Sequence, residues 1–186
     1  MKLFIILLFC TLLFIAKAQQ IQFPREAIEF TIDSVHFTVD GFYYFKNTID
    51  KAFIVPISYP FPNSSSVVDS SWVYNCISLN NVPFYTGKND LSFVIYVLPK
   101  DSPVIRIGYR ERHNGHIARY ILTTTKYWNR PLLEASYSLF VPPYITITRF
   151  SYKPDTSIIN NNGTLYLFRK KNFMPIIDFE IAFTMK

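Results

Sequence analysis

Glycine and cysteine are scarce in this chain. Five glycines in 186 residues argue against a glycine-rich phosphate loop, a collagen repeat or a flexible low-complexity linker. Two cysteines cannot build a disulfide-dense miniprotein. Beyond the first twenty residues no apolar run is long and uncharged enough for a membrane helix. The charge imbalance is modest, 19 Lys and Arg against 13 Asp and Glu for a formal +6. That excess is too small to point to nucleic acid. Apolar residues, in contrast, make up 49% and aromatic residues 18%, which excludes a disordered polymer.

The first eighteen residues read as an address. Met1-Lys2 is basic, Leu3–Ile15 is an almost unbroken apolar run, and Ala16-Lys17-Ala18 ends it with small residues. These are the three parts of a secretory signal peptide, and the run falls short of the roughly 20 residues of a spanning helix. Cys10 follows Phe9 rather than the small residue a lipoprotein signal wants. Cleavage is expected after Ala18. It removes Lys2, Lys17 and Cys10 and leaves 168 residues with 17 basic and 13 acidic side chains, net +4, and Cys76 as the only thiol. The expected location is extracytoplasmic: secreted, periplasmic or at the cell surface.

Residues 19–186 read as one all-β domain, an antiparallel β-sandwich of the immunoglobulin-like or jelly-roll type. Apolar positions recur with period two in Ile28–Ile32, Val35–Val39, Phe53–Tyr59 and Tyr144–Tyr152, the signature of half-buried strands. The change of parity near Ser34 suggests a bulge or bend. Leu91–Leu98 and Leu165–Phe168 are denser, as in deeper strands. Turn signals separate these runs: Asp40-Gly41, Pro60–Asn63, Asn80-Asn81, Gly87–Asp90, Pro99–Asp101, Pro142-Pro143 and Asn160–Gly163. Pro56, Pro83 and Pro175 belong at edges or bulges. No helix is expected. A small outer-membrane barrel is the structural alternative, although many runs are shorter than a tilted spanning strand and the chain ends without a terminal aromatic.

The sharpest local signal is Val104–Arg112 and Ile117–Thr125 around Asn114-Gly115, a dipeptide suited to a two-residue hairpin turn. In that register Arg110 faces Arg119, Tyr109 faces Tyr120, and His113 faces His116. One face then carries Ile105, Ile107, Tyr109, Glu111 and His113, and the other carries Arg106, Arg110, Arg112 and Arg119. Two arginines directly opposed are destabilising unless an anion relieves them. A neighbouring carboxylate or solvent would do so, and so would a ligand bearing carboxylate, sulfate or phosphate.

Other candidates are weaker. Glu111, His113 and His116 could approach one another at the hairpin tip as a metal set, but nothing supplies a helix-borne H-E-x-x-H. No resident metal or cofactor is expected. No G-x-S-x-G elbow marks a serine nucleophile, and Cys76 reads as a small buried hydrophobe with His36 or His113 as its only conceivable bases. Trp128, with Trp72 and Tyr43 or Tyr44, could form a sugar-stacking platform, a likeness to carbohydrate-binding modules in architecture alone. Otherwise Trp128 plugs the end of the sandwich. Asn63 and Asn162 head glycosylation sequons, of use only in a host that glycosylates. The resulting expectation is a secreted, non-enzymatic binding or assembly module. Its partner would be an envelope or extracellular protein, a glycan, or further copies of itself in a homo-oligomer. A carbohydrate-active hydrolase is the alternative from another class.

Overall fold

A computed structural model describes residues 21–62, 68–78, 80–113 and 116–186. The expected signal segment, the Asn63 sequon and the expected turn at Asn114-Gly115 lie outside the described residues. Among the described residues fourteen strands carry almost all of the structure. They are β1 (Ile21–Ile32), β2 (His36–Asn47), β3 (Phe53–Pro60), β4 (Val68–Asn75), β5 (Asn80–Asn81), β6 (Phe84–Thr86) and β7 (Asp90–Val97), followed by β8 (Val104–Arg112), β9 (Ile117–Tyr120), β10 (Leu132–Val141), β11 (Ile145–Phe150), β12 (Thr156–Asn160), β13 (Gly163–Phe173) and β14 (Phe179–Met185). Among the described residues one short 3₁₀ turn, Thr123–Trp128, is the helical element that the periodicity did not announce.

The strands form three open sheets. The largest has the order β12-β13-β10-β1-β2-β8-β4-β5, and two three-stranded sheets have the orders β11-β14-β9 and β3-β7-β6. None closes into a barrel. All ladders are antiparallel except β1 with β10, a departure from the fully antiparallel sandwich expected. Burial follows the two-residue period of the strands. On β2, Phe37, Val39, Tyr43, Phe45 and Asn47 are buried while His36, Thr38, Asp40, Phe42 and Tyr44 are only half-covered.

Both small sheets pack against the same side of the large one. Phe30 of β1 stacks on Phe37 and on Phe179 of β14, the latter with ring centroids 4.5 Å apart. Phe168 of β13 meets Phe179 edge-on. On the other half, Tyr59 of β3 meets Tyr43 and Tyr109. Burying each such ring contributes on the order of 1.5–3 kcal/mol. The result is an all-β sandwich with an eight-stranded layer on one side and two three-stranded sheets on the other.

Several turn readings change at this point. The parity switch at Ser34 is the bend, of the two readings expected there, and it reverses the chain: Ile32 pairs with Phe37, and Asp33 accepts hydrogen bonds from the Val35 and His36 N–H groups. Asp40-Gly41 lies in the middle of β2, and Asn80-Asn81 is a short strand on β4. Asn160–Gly163 closes β12 and β13 as expected, and Pro56 sits on an edge strand. The segment around Asn114 does not join two paired strands. β8 pairs with β2 and β4, whereas β9 pairs with β14 in a different sheet. The chain crosses from one layer to the other there, so Arg110 and Arg119 are not opposed.

Candidate binding face

The large sheet has one face packed on the two small sheets and one face that no second layer covers among the described residues. Register across its strands orders the side chains of that open face into rows. One row runs Lys171–Glu134–Arg25–Tyr44. The next runs Arg169–Ser136–Ala27–Phe42–Arg106–Tyr74, and a third runs Leu167–Ser138–Glu29–Asp40–Gly108–Trp72. Arg110 and Arg112 of β8 lie further along the same face.

Three of the four arginines singled out in the sequence therefore share this face, each with local partners. Arg106 forms a bidentate pair with Asp40, its Nε–Oδ1 contact at 2.8 Å, and lies over the Phe42 ring. Trp72 Nε1 donates to the same Asp40 Oδ1 at 3.3 Å. Arg110 donates to His36 Nδ1 at 2.7 Å, so His36 keeps its proton on Nε2 and donates it to Asp69 Oδ2, also at 2.7 Å. Arg112 Nε reaches Asp69 at 3.3 Å. A one-residue bulge between Val68 and Ser70 aims Asp69 at both. The hydrogen bond from His36, outweighing desolvation and helped by Arg112, holds the Asp69 carboxyl below its ordinary range. Desolvation would raise the Asp33 carboxyl, but the Val35 and His36 N–H groups and the Arg110 charge bring it below that range.

Arg119 is elsewhere. It lies in the second layer, where its Nε and Nη2 donate to Glu180 Oε2 at 2.9 and 2.6 Å while Arg149 takes Oε1. Trp128 packs beside Phe23 and Phe45, the plug position. Of the other aromatics once grouped with it, Tyr43 is in the core, Arg25 covers Tyr44 at 4.6 Å, and Trp72 lies over Gly108. They do not share a platform.

The three hairpin-tip residues are not brought together. Glu111 is buried on the core side. His113 donates from Nε2 to the Asp33 carbonyl and meets Phe183 edge-on, and His116 is exposed. No group of three His, Cys, Asp or Glu among the described residues could hold a metal ion. Cys76, half-buried, follows Asn75, which pairs with Ile105, while His36 pairs with Arg112. Several residues of strand rise, about 20 Å or more, keep that thiol from that imidazole.

Two adjoining depressions mark the open face, and sequence reasoning missed both. The smaller, about 180 Å³, has a floor of Ala27, Ser136 and Ser138 between Phe42, Leu167 and Arg169. The larger, about 430 Å³, is lined by Pro24, Arg25, Tyr44, Phe45, Lys46, Ser102, Leu133, Glu134 and Lys171. The available signal was Pro24. A proline inside an alternating run marks a bulge or edge, and buried positions shift from odd to even numbers between Phe23 and Glu26.

The fold has solved counterparts. No protein-family model matches the sequence, and no curated protein matches it significantly. A proposed nutrient binding protein from Legionella pneumophila superposes with a TM-score of 0.76 over 90% of this chain and 68% of that one, at 12% identity. An M1 zinc metallopeptidase from Deinococcus radiodurans superposes with a TM-score of 0.54 over 88% of this chain, at 10% identity. The present chain spans 42% of that peptidase. At such identities the shared property is the fold.

Proposed function

We propose that this chain is an extracytoplasmic, non-enzymatic binding module that uses the open face of its eight-stranded sheet to hold an anionic group, carried by a glycan or an envelope partner. The observation that carries this reading is the concentration of Arg25, Lys46, Arg106, Arg110, Arg112, Arg169 and Lys171 on one sheet surface, uncovered among the described residues, that also holds two depressions. Guanidinium groups already oriented by neighbours lose little freedom on meeting an oxyanion. The fold-level likeness to a proposed nutrient binding protein is in keeping with a binding role. The N-terminal signal segment is what argues for export.

The test is retention of the chain, expressed from residue 19, on immobilised heparin against a neutral dextran matrix. Salt-dependent retention on heparin alone is expected. Passage through both columns at low ionic strength refutes the reading. Hydrolysis of a glycan or peptide substrate panel would move the chain to an enzyme class instead.

A further inference from the structure

We propose that the larger depression is the anion subsite of this face, taking one carboxylate or phosphate group carried on a small sugar or apolar body. This rests on the binding-module reading and assigns it to residues at the opposite end of the face from Arg110 and Arg112.

The argument begins with which cations are already engaged. Arg106 is held by Asp40, Arg110 by His36 and Asp33, and Arg112 by Asp69. An external anion must displace those partners. Around the larger depression the balance differs. Among the described residues no carboxylate lies within ion-pair distance of Lys46 or Lys171. Arg25 approaches Glu134 only to 3.9 Å, beyond hydrogen-bond reach. Three cations and one carboxylate leave the site with an excess of two positive charges.

The backbone explains how they converge. Register shifts between Gln22 and Arg25 of β1, and Pro24, which has no N–H to contribute to a ladder, occupies that bulge. The shift turns Arg25 outward into the row Lys171–Glu134–Arg25–Tyr44. Four side chains from four strands then span about 14 Å. Arg25 lies on the Tyr44 ring at 4.6 Å, so its guanidinium is oriented before any ligand arrives. Pro24 and Leu133 supply an apolar wall and Ser102 a hydroxyl. A volume near 430 Å³ suits one monosaccharide-sized molecule. An oxyanion would sit among Arg25, Lys46 and Lys171 with its carbon body on the apolar wall.

Glu134 gives the proposal its sharpest consequence. It stands between Lys171 and Arg25 in the row, and its negative charge repels an incoming anion, so Glu134→Gln should tighten binding. The test is calorimetric titration at low ionic strength with inorganic phosphate and, separately, with glucuronate. Saturable binding of phosphate identifies a phosphate-bearing ligand, and binding of glucuronate alone identifies a sugar acid. Lys46→Ser with Lys171→Ser should weaken binding about tenfold or more, the loss of at least one charge-assisted hydrogen bond. Lys88→Ser with Arg149→Ser, an equal charge change on the other layer, should leave it within about twofold, well under the tenfold step of a lost contact. Equal thermal midpoints establish that the variants fold, and the single Lys46→Gln and Lys171→Gln changes serve if the double variant does not. Absence of saturable binding for both probes overturns the proposal, as does equal weakening in the control or unchanged affinity in the lysine variant. Failure of the parent chain to stay on heparin refutes the broader reading. Retention that survives loss of Lys46 and Lys171 refutes this subsite alone.

Discussion

The ring of Tyr43 lies over the backbone of Gly41, so closely that a Cβ at position 41 would come within 2.5 Å of the phenolic oxygen. That placement lets the Tyr43 hydroxyl bond Tyr59 at 2.8 Å and Tyr120 at 2.9 Å. The three tyrosines belong to β2, β3 and β9, one from each sheet, so a single buried hydroxyl chain ties all three sheets together. Gly41→Ala should push the ring aside and cost about 2–4 kcal/mol, combining overpacking with lost hydrogen bonds. Tyr43→Phe, which keeps the ring, should cost about 1–2 kcal/mol. Combined, the two changes should fall well short of additive, because both break the same bonds. Denaturant unfolding of the four chains measures this, and full additivity would show that Gly41 serves no purpose for Tyr43.

A second buried polar contact sets a pH response. Glu26 is 2% exposed and accepts the Tyr137 hydroxyl hydrogen bond at 2.5 Å. Burial outweighs that hydrogen bond and pushes the Glu26 carboxyl up to about 7 from an ordinary value near 4.5. Between those values the folded chain binds a proton that the unfolded chain has released. The stabilisation is therefore complete below about pH 4.5 and is lost as pH rises towards 7, by about 3 kcal/mol in all. Glu26→Gln keeps an acceptor for Tyr137 and carries no charge, so it should flatten this limb and be the more stable chain at pH 8. Unfolding midpoints from pH 4 to pH 8 decide it. The same slope in both chains would remove Glu26 as the cause.

On the open face, Trp72 rests on Gly108 with its ring atoms 2.4 Å from where a Cβ would stand. Gly108→Ala should lift the indole and break the Trp72 hydrogen bond to Asp40, at about 1–3 kcal/mol. Arg106 keeps its grip on Asp40 in that variant, so the fold should survive. A red shift of Trp72 emission, read in a Trp128→Phe background, is the expected signature, and an unchanged spectrum would mean that the ring already stands clear of the sheet.

Much of this was legible in the sequence because strand period is a local property. Ile105, Ile107, Tyr109 and Glu111 turn inward and Arg106, Arg110 and Arg112 outward on β8, as alternation alone requires. Pairing was not legible, since it is decided by distant contacts. Asp40 lies 66 residues from Arg106, and His36 lies 74 from Arg110. Asn-Gly marks a reversal of the chain, but only packing determines whether the reversed strand stays in its sheet. Asp40-Gly41 misled for a related reason. Glycine there serves the close approach of a ring, a need that no neighbour in sequence reports. The larger depression was hidden in the same way, its lining drawn from four strands and recognisable beforehand only through Pro24.

The crossing of the chain between layers near residue 114 can be tested by cross-linking. Arg119 is paired with Glu180 across β9 and β14, and directly opposed residues place their Cβ atoms about 4.5–5.5 Å apart, near enough for a disulfide with a small backbone adjustment. Arg110 lies in the other layer, and packed sheets stand about 10 Å apart, beyond the reach of such a bond. With Cys76 replaced by Ser, Arg119→Cys with Glu180→Cys should oxidise to an internal disulfide, visible as loss of free thiol and faster migration without reductant. Arg110→Cys with Arg119→Cys should keep both thiols under the same treatment. The opposite pattern would restore a simple hairpin, with Arg110 facing Arg119 and both guanidinium groups on one surface.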